Sequence, residues 1–128
     1  MGQPAAKEGD TVVGVDIHVV LVPAPPASPV PTPLPHRFSG PLVSDLSSDV
    51  KIEGLAAATE GSVAENRPPH IPTPPGVSFQ SPPDNSGTVQ SGSTTVKING
   101  KAAARVGDPV QTCDGSGAIT GVSTVMIG

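Results

Sequence analysis

Apolar and polar positions alternate along this chain only in short bursts. Val96 and Ile98 flank Lys97, and Val50 and Ile52 flank Lys51, while Val125-Met126-Ile127 keeps the Val-x-Ile spacing without the polar centre. A period of two is what a half-buried strand requires. After the first burst comes Asn99-Gly100, the strongest short hairpin signal. Longer β-rich character runs from Thr11 to Val22, where His18 interrupts the valines. Helix is nearly excluded, because few windows of about twelve residues escape both Gly and Pro, which cost about 1 and 3 kcal/mol inside a helix. Strands joined by Pro-rich loops are predicted throughout.

The bursts belong to a repeated phrase. Val96 to Asp108 and Val50 to Ser62 align without a gap and share Val, Lys, Ile, Gly, three Ala and a later Gly, eight of thirteen positions. The chain also ends on the first half of the phrase, Val125 to Gly128, and begins on the second half, Pro4-Ala5-Ala6 through Gly9-Asp10. Joined end to start, the halves make a third unit. The termini are therefore expected side by side, with three strand-and-corner units around an approximate three-fold axis. Ala5-Ala6, Ala57-Ala58 and Ala103-Ala104 occupy equivalent places in it, where small side chains permit close backbone approach. Corners at Gly9-Asp10, Gly61-Ser62 and Gly107-Asp108 would lead out of this base.

Between the units the character changes. Residues 23–41 contain eight prolines and are expected to be extended, as a packed loop or a free linker. Pro72-Thr73-Pro74 with Phe79 has the spacing of Pro31-Thr32-Pro33 with Phe38, so the two Pro-rich segments are expected to be equivalent loops. Residues 84–95 read as turn-forming, and Asp114 to Gly117 as a tight glycine turn.

Composition narrows the picture. The 128 residues suit one domain, taken as 1–128, although 17 Pro and 15 Gly with no Trp or Tyr stand near the disordered class. Only 14% of residues are charged, and the clustered Val and Ile indicate some core. A net charge of −4 with seven scattered Lys and Arg offers no basic stripe, so nucleic acid is not an expected partner. The longest apolar stretch, Val12 to Val22, is too short for a membrane span, and no apolar region follows Met1, so no signal peptide is expected. Cys113 is the lone cysteine and cannot form an internal disulfide.

The metal-capable side chains fall in register with the repeat. His18 lies eight residues after Asp10, His70 eight after Ser62, and Cys113 five after Asp108, while His36 ends the first proline run. If the three excursions converge, His18, His70 and Cys113 meet and His36 completes a tetrahedron. Nitrogen and sulfur donors in a closed four-coordinate set suit structural zinc. A metal would also add stability to a chain so poor in aromatic core. No nucleophile elbow or calcium-loop pattern accompanies these residues, and catalysis is not expected.

The phrase Asn99-Gly100-Lys101-Ala102-Ala103-Ala104-Arg105-Val106-Gly107-Asp108 resembles the signature of the PAAR-repeat family, and Pro4-Ala5-Ala6-Lys7 looks like another copy. Ala102 departs from the family's Pro and Lys7 from its Arg; the middle copy has Thr59. The resemblance implies an all-β cone or pyramid of short strands and Pro/Gly-rich loops, with a pseudo-three-fold base and zinc near the tip, bound by three His and one Cys. It implies a monomeric tip that caps and sharpens the trimeric central spike of a contractile injection apparatus: a type VI secretion system, a contractile phage tail or an extracellular phage-tail-like particle. One tip per trimer, assembly in the bacterial cytoplasm, transient contact with a target membrane and no toxin extension complete the expectation. The docking base would use Ala5, Ala6, Val50, Ile52, Ala57, Ala58, Val96, Ile98, Ala103, Ala104, Val125 and Ile127. Two other readings remain open from the residues: a disordered Pro/Gly-rich linker, and a small zinc-binding metalloenzyme, which would need an open coordination position.

Overall fold

A computed structural model describes residues 2–128 and is built of strands and turns. Three miniature hairpins form one end. They pair β1 (Gln3–Pro4) with β13 (Met126–Ile127), β4 (Lys51–Ile52) with β5 (Leu55–Ala56), and β9 (Lys97–Ile98) with β10 (Lys101–Ala102). The two ends of the chain thus pair to make the third unit. At Glu53-Gly54 and Asn99-Gly100 both turn residues have positive φ, the backbone that a two-residue hairpin loop demands.

The alanines lock the units together. The amide of Ala6 donates to Ala104 O, Ala104 to Ala58 O and Ala58 to Ala6 O, each at 3.0 Å, a closed ring of three hydrogen bonds about the axis. Bridges Ala5 to Arg105, Lys7 to Ala57 and Thr59 to Ala103 repeat the pattern outside it. Asp10, Ser62 and Asp108 cap the three exits by accepting, through side-chain oxygens, the amides of Lys7, Thr59 and Arg105. Ser47 and Ser93 do the same at the entries, accepting the amides of Val50 and Val96.

Beyond this base stand β2 (Thr11–Ala24), β3 (Ala27–Ser44), β6 (Val63–Glu65), β8 (Ser86–Val89), β11 (Pro109–Thr112) and β12 (Gly115–Thr120). Each pairs antiparallel with the next in the order β12, β11, β8, β6, β3, β2, and β2 returns to β12, so the ring is closed. Alternation sends Val12, Phe38, Leu42, Val89, Val110 and Ile119 inward, where they form the core with Ala6, Ala58 and Ala104. Burial of these side chains, roughly 1.5–3 kcal/mol for each large one, is the main force closing the ring.

Five expectations need correction. Residues 23–41 are not a loop: β2 and β3 form one long ribbon that turns at Pro25-Pro26 and outruns the ring, since β12 accompanies β2 only from Thr11 to Asp16. The strands are therefore not all short. The second proline run is not its equivalent, because it contributes only β7 (Ser78–Phe79) beside Val20 and Leu21; Phe38 is core, whereas Phe79 is half-buried. Residues 84–95 include β8. Gly115 and Gly117 lie within β12, the turn being Cys113-Asp114; a Cβ at Gly115 would stand 2.1 Å from Val15 O, so close strand approach requires glycine there.

Candidate metal centre

The far end of the ring is closed by polar side chains. In register, Asp16 of β2 stands between His36 of β3 and Gly115 of β12, and His18 follows on the same inward face. Cys113 arrives from the β11–β12 turn and His70 from the connection between β6 and β8. Backbone latches hold that connection: Asn85 Oδ1 accepts the His70 amide at 2.8 Å and Asn66 Nδ2 at 3.2 Å.

Asp16 is the centre of this group and is fully buried. Its Oδ2 accepts the Cys113 thiol at 2.8 Å and lies 2.9 Å from His70 Nε2. Its Oδ1 accepts the Thr112 hydroxyl and the Asp114 amide. His18 Nε2 lies 3.2 Å from Cys113 Sγ and 3.9 Å from Asp16 Oδ2. The other nitrogen of His18 is 2.8 Å from Asp114 Oδ2, a carboxylate that fixes the ring and leaves Nε2 facing the cluster. One donor atom from each of Asp16, His18, His70 and Cys113 lies within 4.8 Å of all the others.

Electrostatics reflect the crowding. Burial works to raise the Asp16 pKa, but hydrogen bonds from Cys113, Thr112, His70 and the Asp114 amide outweigh it and hold the carboxyl below its ordinary value. Burial, and then the adjoining Asp16 carboxylate, push the Cys113 thiol up to about 12. A divalent cation would reverse the second effect, because carboxylate and thiolate together neutralise it.

His36 is placed differently from the sequence expectation. Its ring packs edgewise on His18 and His70, with centroids 5.3 and 5.6 Å away. Its nitrogens, however, face elsewhere: Nδ1 lies 2.9 Å from Leu34 O, and Nε2 accepts the Thr73 amide at 3.1 Å. A single neutral tautomer satisfies both bonds. Asp16, and not His36, brings the fourth donor atom to the cluster. Asp16 and His18 share one parity of a strand, but the sequence alone does not say that this parity faces inward.

The donor chemistry fits a metal. A tetrahedral ion with ligands about 2.0–2.3 Å away spaces its donors roughly 3.3–3.7 Å apart; here the donors stand 2.8 to 3.9 Å apart in the contacts named and all within 4.8 Å, so small side-chain shifts would bring them to an ion.

The twelve docking residues also separate by depth. All six alanines are 0–1% exposed, enclosed between the turns, so they pack the base rather than face a partner. Ile52, Ile98 and Ile127 are nearly covered, whereas Val96 and Val125 are exposed and Val50 half-buried. Residues 80–128 match the family model described as PAAR motif. A search of curated proteins finds no match to the chain.

Proposed function

The chain carries the PAAR motif, and from that premise we propose that it is the tip that caps the trimeric central spike of a contractile injection apparatus. The observation that carries the reading is the closed ring of alanine hydrogen bonds, which gives one chain a base with three equivalent units. A single chain with pseudo-three-fold symmetry is what can sit on a true three-fold axis without leaving two subunits unmatched. Val50, Val96 and Val125 occupy equivalent positions, their carbonyls accepting the amides of Ala57, Ala103 and Ala5. They are the apolar contacts offered to the spike, one toward each of its chains.

The requirement on such a part is mechanical: rigidity and a narrowing outline. Three base units lead into six ring strands, and these into a two-stranded ribbon. The Asp16, His18, His70 and Cys113 cluster would hold zinc and fasten the β11–β12 turn and the His70 connection to the root of the ribbon. Bound there, the ion supplies cross-linking and not catalysis, because four protein donors leave no open position for substrate. The ribbon would then lead the particle through a target envelope.

Mixing the chain with its spike trimer and measuring mass should give one chain per trimer; three per trimer would sink the capping model. Cys113→Ser is expected to abolish bound zinc in elemental analysis. It should also lower the Tm by at least about 10 °C, corresponding to roughly 2–3 kcal/mol in a domain of this size. An unchanged melt with no metal in the parent protein would remove zinc from the account.

A further inference from the structure

The projecting ribbon should be a hazard. Val19 to Pro35 contains no charged residue, Val19 to Val22 is an unbroken β-favouring run, and on the outer face Val15 and Ile17 are 54% and 50% exposed. Uncharged, apolar and β-prone segments with open edges pair with copies of themselves. The ribbon has two edges, and they are managed differently.

The β2 edge is covered by the chain itself. Beyond β12, Ile17 donates its amide to Asp114 O, while Val19 O and Leu21 O accept the amides of Gln80 and Val77. These bonds also establish parity: the odd-numbered residues of β2 turn their backbone groups away from β3. Since Leu21 pairs with Pro31, Val19 with Pro33 and Ile17 with Pro35, the odd-numbered residues of β3 face outward too. The amide of Arg67 donating to Ser39 O from outside agrees.

The prolines of β3, at 29, 31, 33, 35 and 41, are all odd. Within the continuous register that ends at Val22 and Val30, Pro31, Pro33, Pro35 and Pro41 therefore lack their N–H on the outer edge, and none removes a bond to β2, which uses the even residues; Pro29 falls in the register shift beyond Val30. From Pro31 to Pro35 three successive outward donors are missing, over about 13 Å of strand. Among the described residues no strand pairs with β3 there, β6 meeting it only at Leu42 and Ser44.

We propose that the alternate prolines of β3 are an edge block, which lets the ribbon pair fully with β2 while denying its open edge to the ribbon of a second copy of this chain. An incoming strand would find acceptors but no donors, and its own carbonyls would be buried unpaired. The block is independent of the spike-tip reading and holds for the free chain.

The test restores the donors with Pro31→Thr and Pro33→Thr together, both at exposed positions. In sedimentation velocity the parent should remain a monomer, whereas the variant should at least double its weight-average mass as concentration rises. The new amides at 31 and 33 should become protected from hydrogen exchange. A variant that keeps the parent's amide dispersion yet stays monomeric would overturn the proposal, as would ribbon-to-ribbon pairing in the parent. If the double variant does not fold, Pro31→Thr alone carries the same two readouts. Thr32→Pro tests the parity: its missing N–H would face Val20, so the Tm should fall, and an unchanged Tm would overturn the block.

Discussion

Ala6, Ala58 and Ala104 decide how closely three parts of the chain can approach the axis, because each is buried while its amide and carbonyl both join the hydrogen-bonded ring. A larger side chain there has nowhere to go. Ala104→Leu is expected to cost about 1–3 kcal/mol through overpacking, read as a lower denaturation midpoint in urea with an unchanged slope. Cys113 gives a second test at this scale. With its pKa raised to about 12, the metal-free thiol stays protonated at pH 8 and should alkylate far more slowly than in the urea-unfolded chain. Metal binding must release that proton, so affinity should fall as pH falls. Equal alkylation rates would show the thiol is not held as described. The alanines were legible in the sequence because they recur at fixed intervals. Asp16 was not, because a carboxylate within a valine-rich stretch reads as a break in apolar character until the inward parity of its strand is known.

At the scale of elements, Gly100 isolates the cost of one turn. Its φ is +80° and a Cβ would meet nothing within 4 Å, so Gly100→Ala should lose only the left-handed backbone penalty, about 1–2 kcal/mol. A neutral substitution, measured by thermal melt, would mean the turn adopts another conformation. Asn99-Gly100 announced its hairpin because local backbone preference suffices to make one. The β2–β3 ribbon had no such announcement. Proline is a strand breaker on average, yet the average conceals parity: placed on alternate residues it removes donors from one edge only. Which edge matters depends on the partner strand, which no local window contains. The glycines of β12 misled for a related reason, since they answer to the backbone of β2, about a hundred residues away in sequence.

For the whole molecule, pairing of β1 with β13 predicts that the order of units is immaterial to the base. A permutant that joins Gly128 to Met1 through a short flexible linker and opens the chain between Asn99 and Gly100 should retain the parent's amide dispersion and most of its Tm; an unfolded permutant would contradict equivalence of the three units. X-ray absorption on the zinc-loaded protein should count two imidazoles, a carboxylate oxygen and one sulfur, and three imidazoles would show that His36 leaves Thr73 for the ion. The sequence by itself determined the β class, the three-unit base and the meeting of His18, His70 and Cys113, because repeats and periods are properties of the order of residues. Tertiary structure alone decided that the first proline run is a strand, that the docking alanines are enclosed, and that Asp16 rather than His36 faces the other donors. Those outcomes depend on register between distant strands, and a shift of one residue would exchange every inward side chain for an outward one.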